Sequence, residues 1–385
     1  MANYTNSSNV TDPLQTAPSL RPAFQPDDWN RSFTMFVVIA EIIIAVVSLV
    51  SNFLVVYAFV AYKKLRTSVT NYFVISLAVS DILTSGLVTT FTADISMNPR
   101  WTHGLFMCNL YTTMFLLALP SSVINLCAVT VDRYLVLRMP LRYTSLMPPR
   151  RAVFIICCLW IYAITWSCLP VLGWHAPTPG GSVIYNGHCY HTSTSLYNNL
   201  VNIINFLLPM VFMAIFWVFI YSIVHKHRKR VLKIERSLSL NTNESSNSSN
   251  NMNGEVHPMT QLTARNEKTE KKRLQRNVRG SRFIGFIVIL FYFCWLPYVS
   301  LSFIANICRP CQAHIPYFLY EAFLALGFLN SALNPFLYPF HDKHFKAAFR
   351  DMWKKLRSKA FVRLFPSQGK GVVFMLGFIL PEFDI

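Results

Sequence analysis

Charge is what this chain has least of. Only 14% of its 385 residues are charged, against roughly 25% in an ordinary soluble domain. Acid is scarcest: 17 Asp and Glu stand against 35 Lys and Arg, for a net charge of +18. The 13 glycines and 21 prolines form no repeat, which excludes collagen-like and low-complexity classes. No internal repeat stands out, which weighs against a transporter built from repeated halves. Residues 1–33 hold no apolar run of signal-peptide type, so the first helix is expected to act as an uncleaved targeting signal. What abounds is apolar side chain, 53% of residues, with a mean hydropathy of +0.36. That pattern excludes a pair of soluble domains and points to a membrane protein.

Seven stretches are long enough to cross a bilayer, which takes about 20 mostly apolar residues. They run over 34–61, 69–93, 104–131, 152–174, 197–224, 283–308 and 314–340. They contain three acids, Glu41, Asp81 and Glu321, and no Lys or Arg. Continuous helix is the expected form, because in lipid every backbone polar group must be satisfied within its own segment. The expected fold is therefore an all-α membrane protein, a seven-helix bundle over 34–340, with a short amphipathic helix after it.

The basic residues give the orientation. Of the 35, all but Arg21, Arg31, Arg100 and Arg309 fall in one set of loops and in the C-terminal segment. By the positive-inside rule that set is cytoplasmic and the N-terminus is extracellular. The +18 is thus a topological bias and excludes a nucleic-acid partner. The outer arm, 1–33, carries acceptor sequons at Asn3, Asn6, Asn9 and Asn30, where glycosylation is expected. Asn243 and Asn247 also fit the pattern but face the cytosol, so they are expected to stay bare.

Five cysteines, Cys127, Cys157, Cys158, Cys168 and Cys294, lie within spans and read as small apolar residues. The other four, Cys108, Cys189, Cys308 and Cys311, sit at outer helix ends or in outer loops, where disulfides form. Four cysteines permit three pairings. The short Cys-Arg-Pro-Cys loop favours Cys308 with Cys311, which leaves Cys108 with Cys189. The long cytoplasmic loop, 225–282, has basic ends that are expected to extend helices five and six. Its Ser/Asn-rich middle, Ser237–Glu255, lacks apolar periodicity and is expected to be disordered.

One motif per span then accumulates in order. These are Asn52; Leu77-Ala78-Val79-Ser80-Asp81; Cys108 and Asp132-Arg133-Tyr134; Trp160; Pro209; Phe291-Tyr292-Phe293-Cys294-Trp295-Leu296-Pro297; and Asn334-Pro335-Phe336-Leu337-Tyr338. Together the set resembles the rhodopsin-like (class A) G protein-coupled receptors. The resemblance reaches nearly every helix and ends near residue 352. It implies an extracellular small ligand, a heterotrimeric G protein partner, arrestin and a receptor kinase, residence in the plasma membrane, and no enzymatic role. No Ser/His/Asp or metal constellation gathers within the spans. A channel or transporter is the competing class and would call for several embedded charges.

The motifs also carry physics. Asp81 is a carboxylate at mid-membrane and a functional candidate by default. The resemblance implies a sodium pocket formed with Ser122, Asn330, Ser331 and Asn334 below Trp295. No other cofactor or metal is implied. At Asp132-Arg133-Tyr134, the neighbouring carboxylate holds the Arg fork, and family activation frees that Arg for the G protein. Two departures stand out: Asn277 replaces a helix-six glutamate, and Trp217 replaces a helix-five tyrosine. Pro297 and Pro335 kink helices six and seven; with Trp295, Asn334 and Tyr338 they complete the activation switch. Beyond Tyr338, the segment 341–385 opens with Phe345, Phe349 and Trp353 at helical spacing. These read as an amphipathic helix on the inner leaflet, contacting membrane lipid. The apolar run Gly371–Leu380 is too short to span.

The ligand is less legible. Amine receptors carry an aspartate in the outer half of helix three; here that position is Phe115, which disfavours a biogenic amine unless its anchor is displaced. Opsins need a helix-seven lysine, and His314–Phe340 has none. The scaffold looks nearest to the adenosine receptors, in Pro140-Leu141-Arg142-Tyr143, Pro149-Arg150-Arg151-Ala152, Leu172-Gly173-Trp174, Glu41 and the Cys308/Cys311 loop. The adenosine-binding residues do not transfer: His191 and Thr192, Ser302 and Phe328 stand in their places. Losing several buried hydrogen bonds, each on the order of 1–3 kcal/mol, speaks against adenosine itself. The implied pocket is lined by Phe115, Leu116, Leu119, Tyr190, Tyr298, Val299, Ser302, Leu324, Gly327 and Phe328, and suits a mostly apolar small ligand.

Overall fold

A computed structural model describes residues 28–364, apart from 99, 141, 175–183, 186, 190–193, 249–257, 309, 312–314 and 342. The sequons at Asn3, Asn6 and Asn9, pocket residue Tyr190, and the segment Gly371–Leu380 lie outside the described residues. So does the side chain of Asn30. Eight long helices follow one another among the described residues. α1 is Asp28–Ala61 and α2 is Thr70–Met97, which widens into a π turn at Thr84–Thr89. α3 is Gly104–Arg138 and α4 is Pro149–Cys168. α5 opens as Ser195–Val201, passes a π turn at Asn202–Leu207 and runs on as Leu208–Ser248. α6 is Pro258–Ile307, α7 is Tyr317–His341 and α8 is Lys343–Leu364.

Six of the described helices, α1 to α6, are long and apolar enough to cross a membrane by length and composition. α7 has the length, 25 residues, but its apolar character is diluted by Glu321, Asn330, Ser331 and Asn334, all of them buried. Those groups face inward, as polar groups in lipid must. The outward faces are correspondingly oily: Phe36, Ile43, Phe154, Ile161, Val218 and Phe293 are between 58% and 69% exposed. In water such a surface would drive association; it suits an apolar surround.

Specific polar bonds fix the packing. Asn52 on α1 donates to Ser48 O at 3.0 Å and across to Ser331 O on α7 at 3.1 Å. Trp160 Nε1 on α4 donates to Ser76 Oγ on α2 at 3.0 Å. Tyr162 donates to Asn205 Oδ1, in the π turn of α5, at 2.7 Å. On the outer side a two-residue hairpin pairs β1 (Ile184–Tyr185) with β2 (His188–Cys189). Its turn needs Gly187, at φ +78°. The Gly187 carbonyl then accepts from Trp101 N at 2.7 Å, which lays the first outer loop against the hairpin. Cys189 is bonded to Cys108 at the start of α3, and Cys308 to Cys311. Cys127, Cys157, Cys158, Cys168 and Cys294 are free thiols.

One expectation is corrected here. Residues 237–248 are helical, the end of α5, where the sequence reading has disorder. The stretch from 210 to 253 contains neither proline nor glycine, so nothing interrupts the backbone ladder begun in the membrane. Lys271 of α6 pairs with Glu235 of α5 at 2.7 Å, joining the two cytoplasmic extensions.

Candidate functional site

The helices assemble three polar or aromatic levels along the bundle. The first sits at the C-terminal end of α3. Asp132 is buried, and three groups reach it. Thr70 donates to Oδ2 at 2.5 Å, Tyr143 donates to Oδ1 at 2.5 Å, and Arg133 Nη2 stands 3.5 Å from Oδ2. Tyr143 comes from the one-turn helix Tyr143–Leu146. Its phenol is held far above its usual range, first by burial and then by the Asp132 charge. Arg133 keeps its Nε without a partner among the described residues, so only part of the fork is engaged. Tyr134 packs edge-on against Phe216 at 5.3 Å. The side chain of Asn277 lies outside the described residues.

The middle level centres on Asp81. Ser331 Oγ donates to Oδ1 at 2.8 Å and Asn334 Nδ2 to Oδ2 at 2.9 Å. Ser122 faces the same carboxylate, while its hydroxyl shares a hydrogen bond with Ser80 at 2.7 Å. Asn330 is buried beside them; among the described residues its Oδ1, Asn334 Oδ1 and the Tyr338 hydroxyl have no hydrogen-bond partner. These oxygens and the carboxylate are hard ligands of the kind a sodium ion takes, so the residue set fits that ion.

Above it lies the Trp295 level. The indole packs edge-on to Tyr298 at 6.1 Å and to Phe328 at 6.5 Å, and tilts against Phe206 at 6.3 Å. Gly327 is glycine for a reason. A Cβ there would stand 2.8 Å from the indole Cζ3. Of the expected pocket residues, Leu119, Val299, Gly327 and Phe328 are buried in this packing. Phe115, Leu116, Tyr298, Ser302 and Leu324 are half-buried and better placed to meet a ligand. Ser302 accepts from Asn202 Nδ2 at 3.3 Å. Pro297 lies within α6 and Pro335 within α7.

Sequence reasoning missed several partners. Tyr143 and Thr70 on Asp132 come from elements far apart in the chain. So does the contact of Trp217 with Gly285, where an added Cβ would fall 1.8 Å from the indole Cζ2. α8 is docked through Tyr62, which donates to Asp351 Oδ2 at 2.7 Å; Lys355 reaches the same oxygen at 3.1 Å. The Tyr62 bond, then Lys355, hold Asp351 below the usual carboxylate range.

Comparison with known proteins agrees with this geometry. The profile of the family described as "7 transmembrane receptor (rhodopsin family)" matches residues 51–338. The chain is similar to the octopamine receptor beta-1R of Drosophila melanogaster, 28% identical over 349 residues, covering 88% of this chain and 65% of that one. It is also similar to the D(1A) dopamine receptor of Didelphis virginiana, 30% identical over 78% of this chain and 69% of that one. The Alpha-1A adrenergic receptor of Oryzias latipes is 28% identical over 79% of this chain and 63% of that one. The chain thus spans just under two thirds of the length of two of these relatives. It belongs to the rhodopsin family of seven-transmembrane receptors, a multi-pass membrane family of receptors rather than enzymes, in which G protein coupling is general. The adenosine-receptor scaffold expected from the sequence is corrected: the likeness falls to receptors named for octopamine, dopamine and adrenergic ligands. The shared adenosine-like pieces are short loop and helix-end segments, whereas whole-length likeness is set by the helices.

Proposed function

We propose that this protein is a cell-surface receptor, N-terminus outside, that binds a small extracellular ligand in the outer half of the bundle and activates a heterotrimeric G protein inside. The observation that carries the reading is Arg133. Its neighbour Asp132 is anchored by Thr70 and Tyr143, while the guanidinium is only partly engaged. A partly held cation at a cytoplasmic opening is what an incoming partner can capture. Trp295, between the outer aromatic residues and the Asp81 network, is placed to pass a ligand's contact inward along α6 and α7. Arrestin and a receptor kinase would read the same cytoplasmic face, and lipid the outer surface of α8.

Sodium is part of the proposal. An ion held by Asp81, Ser122, Asn330, Ser331 and Asn334 shifts the population only by its differential affinity for the two states. Agonist affinity is expected to fall with sodium in the wild type and to be sodium-independent in Asp81→Asn. The central test is a small-molecule screen in cells expressing the receptor, read by second-messenger level. A response that disappears in Arg133→Ala at matched surface expression supports the reading. Responses unaffected by Arg133→Ala would overturn it.

A further inference from the structure

The outer half of the bundle holds two acids that the sites above do not use. Glu41 on α1 is 1% exposed and Glu321 on α7 is 5% exposed. Among the described residues, none of their four carboxylate oxygens has a hydrogen-bond partner. The two acids feel each other's charge, and the edge-on pair Phe33–Phe318, at 5.3 Å, joins α1 to α7 just outward of them. Thr34 is also 5% exposed with its hydroxyl unpaired. It faces Glu321 from α1, as Ser96 does from α2.

Every other acid whose side chain is described has a partner. Asp81 has Ser331 and Asn334; Asp94 has His103 and Asn98; Asp132 has Thr70 and Tyr143. Glu235 and Asp351 are paired with lysines. An uncompensated buried carboxylate is strongly unfavourable, so such a group takes up a proton or meets a cation. Aromatic rings adjoin the pair. Tyr111 feels the Glu41 charge and lies 6.2 Å from Phe91, 6.1 Å from Trp101 and 6.4 Å from Phe115. Ring faces attract an ammonium. They offer nothing to calcium or magnesium, which need six or more oxygen ligands.

We propose that Glu41 and Glu321, with Thr34 Oγ1, form the anchor for the ammonium group of a small primary amine whose apolar body lies against the α3 aromatic residues. The inference rests on the reading of the chain as a receptor for an extracellular small ligand. It supplies the counter-ion that helix three lacks at Phe115. An ammonium offers three donors to the five unpaired oxygens.

The same oxygens suit a free metal cation, so the test separates the two. Thermal unfolding of the purified full-length receptor is followed with 2-phenylethylammonium chloride, with neutral 2-phenylethanol, and with sodium or calcium chloride, at matched ionic strength. The amine is expected to raise Tm, since a ligand of the folded state stabilises it; the alcohol is not. Glu321→Gln and Glu41→Gln should each weaken the amine effect about tenfold or more, as loss of a charged partner does. Asp94→Asn, whose acid is already paired, should keep it. Equal shifts from amine and alcohol, a metal-salt shift that is lost in Glu41→Gln or Glu321→Gln, no amine shift at all, or an amine effect that persists in both Gln variants would each overturn the anchor. If a Gln variant does not fold, Glu321→Asp and the wild-type contrast of amine with alcohol decide. Nucleotide exchange on a purified G protein, measured in the same samples, separates the two readings. A Glu321-dependent shift without exchange upholds the anchor and retires the signalling. Exchange without such a shift retires the anchor alone.

Discussion

The two ends of this bundle treat buried acid in opposite ways. At the end that carries α8, Asp132 is met by two hydroxyls and a guanidinium. At the other, Glu41 and Glu321 complete no hydrogen bond among the described residues, although the Thr34 and Ser96 hydroxyls face Glu321. Asp132, Glu41 and Glu321 are all buried, at 1%, 1% and 5% exposure, so burial alone does not explain the contrast. A satisfied acid stabilises one arrangement of its neighbours. An unsatisfied acid is held in place by the rest of the fold and is available to a cation from elsewhere. One half is organised to hold a state, the other to receive something.

The largest expected effect breaks the satisfied side. Asp132→Ala leaves Thr70, Tyr143 and Arg133 facing a gap, and removing one member of a buried ion pair costs about 3–5 kcal/mol. Unfolding of the purified receptor should show that loss. Glu321→Gln, which removes an uncompensated charge, should be neutral or stabilising by the same measurement. Similar losses in both variants would erase the contrast.

Tyr143→Phe is a narrower cut at the same acid. It removes one hydrogen bond to a carboxylate, worth about 1.5–3 kcal/mol, and should raise ligand-free signalling by loosening the hold on Asp132. An unchanged baseline at matched surface expression would show that Thr70 alone suffices.

Gly285→Ala tests the cytoplasmic half through shape. The new methyl would drive into Trp217, and overpacking of this kind costs about 1–3 kcal/mol. Trp217→Ala added to it should recover much of the loss, because residues in contact are not additive. Simple additivity of the two changes would show that the ring has room to move.

The smallest effect is expected from Asn277→Glu, which restores the acid that relatives in this family place opposite the α3 arginine. A partly exposed ion pair contributes about 0.2–1 kcal/mol, or up to about a fivefold change in population. Basal signalling should fall modestly. A baseline that stays level or rises would mean that Asp132 already holds Arg133 fully.

Legibility followed physical range. The seven crossings were legible because a bilayer imposes length and apolarity on each segment by itself. α7 shows the limit: four polar side chains dilute it, and only its packing against α1 and α6 shows where they point. The disulfide cysteines were legible because compartment and loop spacing constrain them. The extent of α5 was misjudged because Ser and Asn suggest a loop, while the absence of proline and glycine let the helix continue to Ser248. The adenosine-like segments misled because a few shared turns say little about six long helices.

What the sequence by itself determined is the membrane bundle and the identity of its polar residues, because hydropathy and motif order are properties of the chain read one segment at a time. Which of those residues have partners was decided only by the tertiary structure. Asp132 finds Thr70 and Tyr143, residues 62 and 11 positions away, and Asp81 finds Ser331 across 250. Glu41 and Glu321 are brought together by α1 and α7 yet complete no hydrogen bond among the described residues. Hydrogen bonds and desolvation act over a few ångströms, so whether a buried acid is a strut or a receptor for charge depends on neighbours that no local stretch of sequence contains.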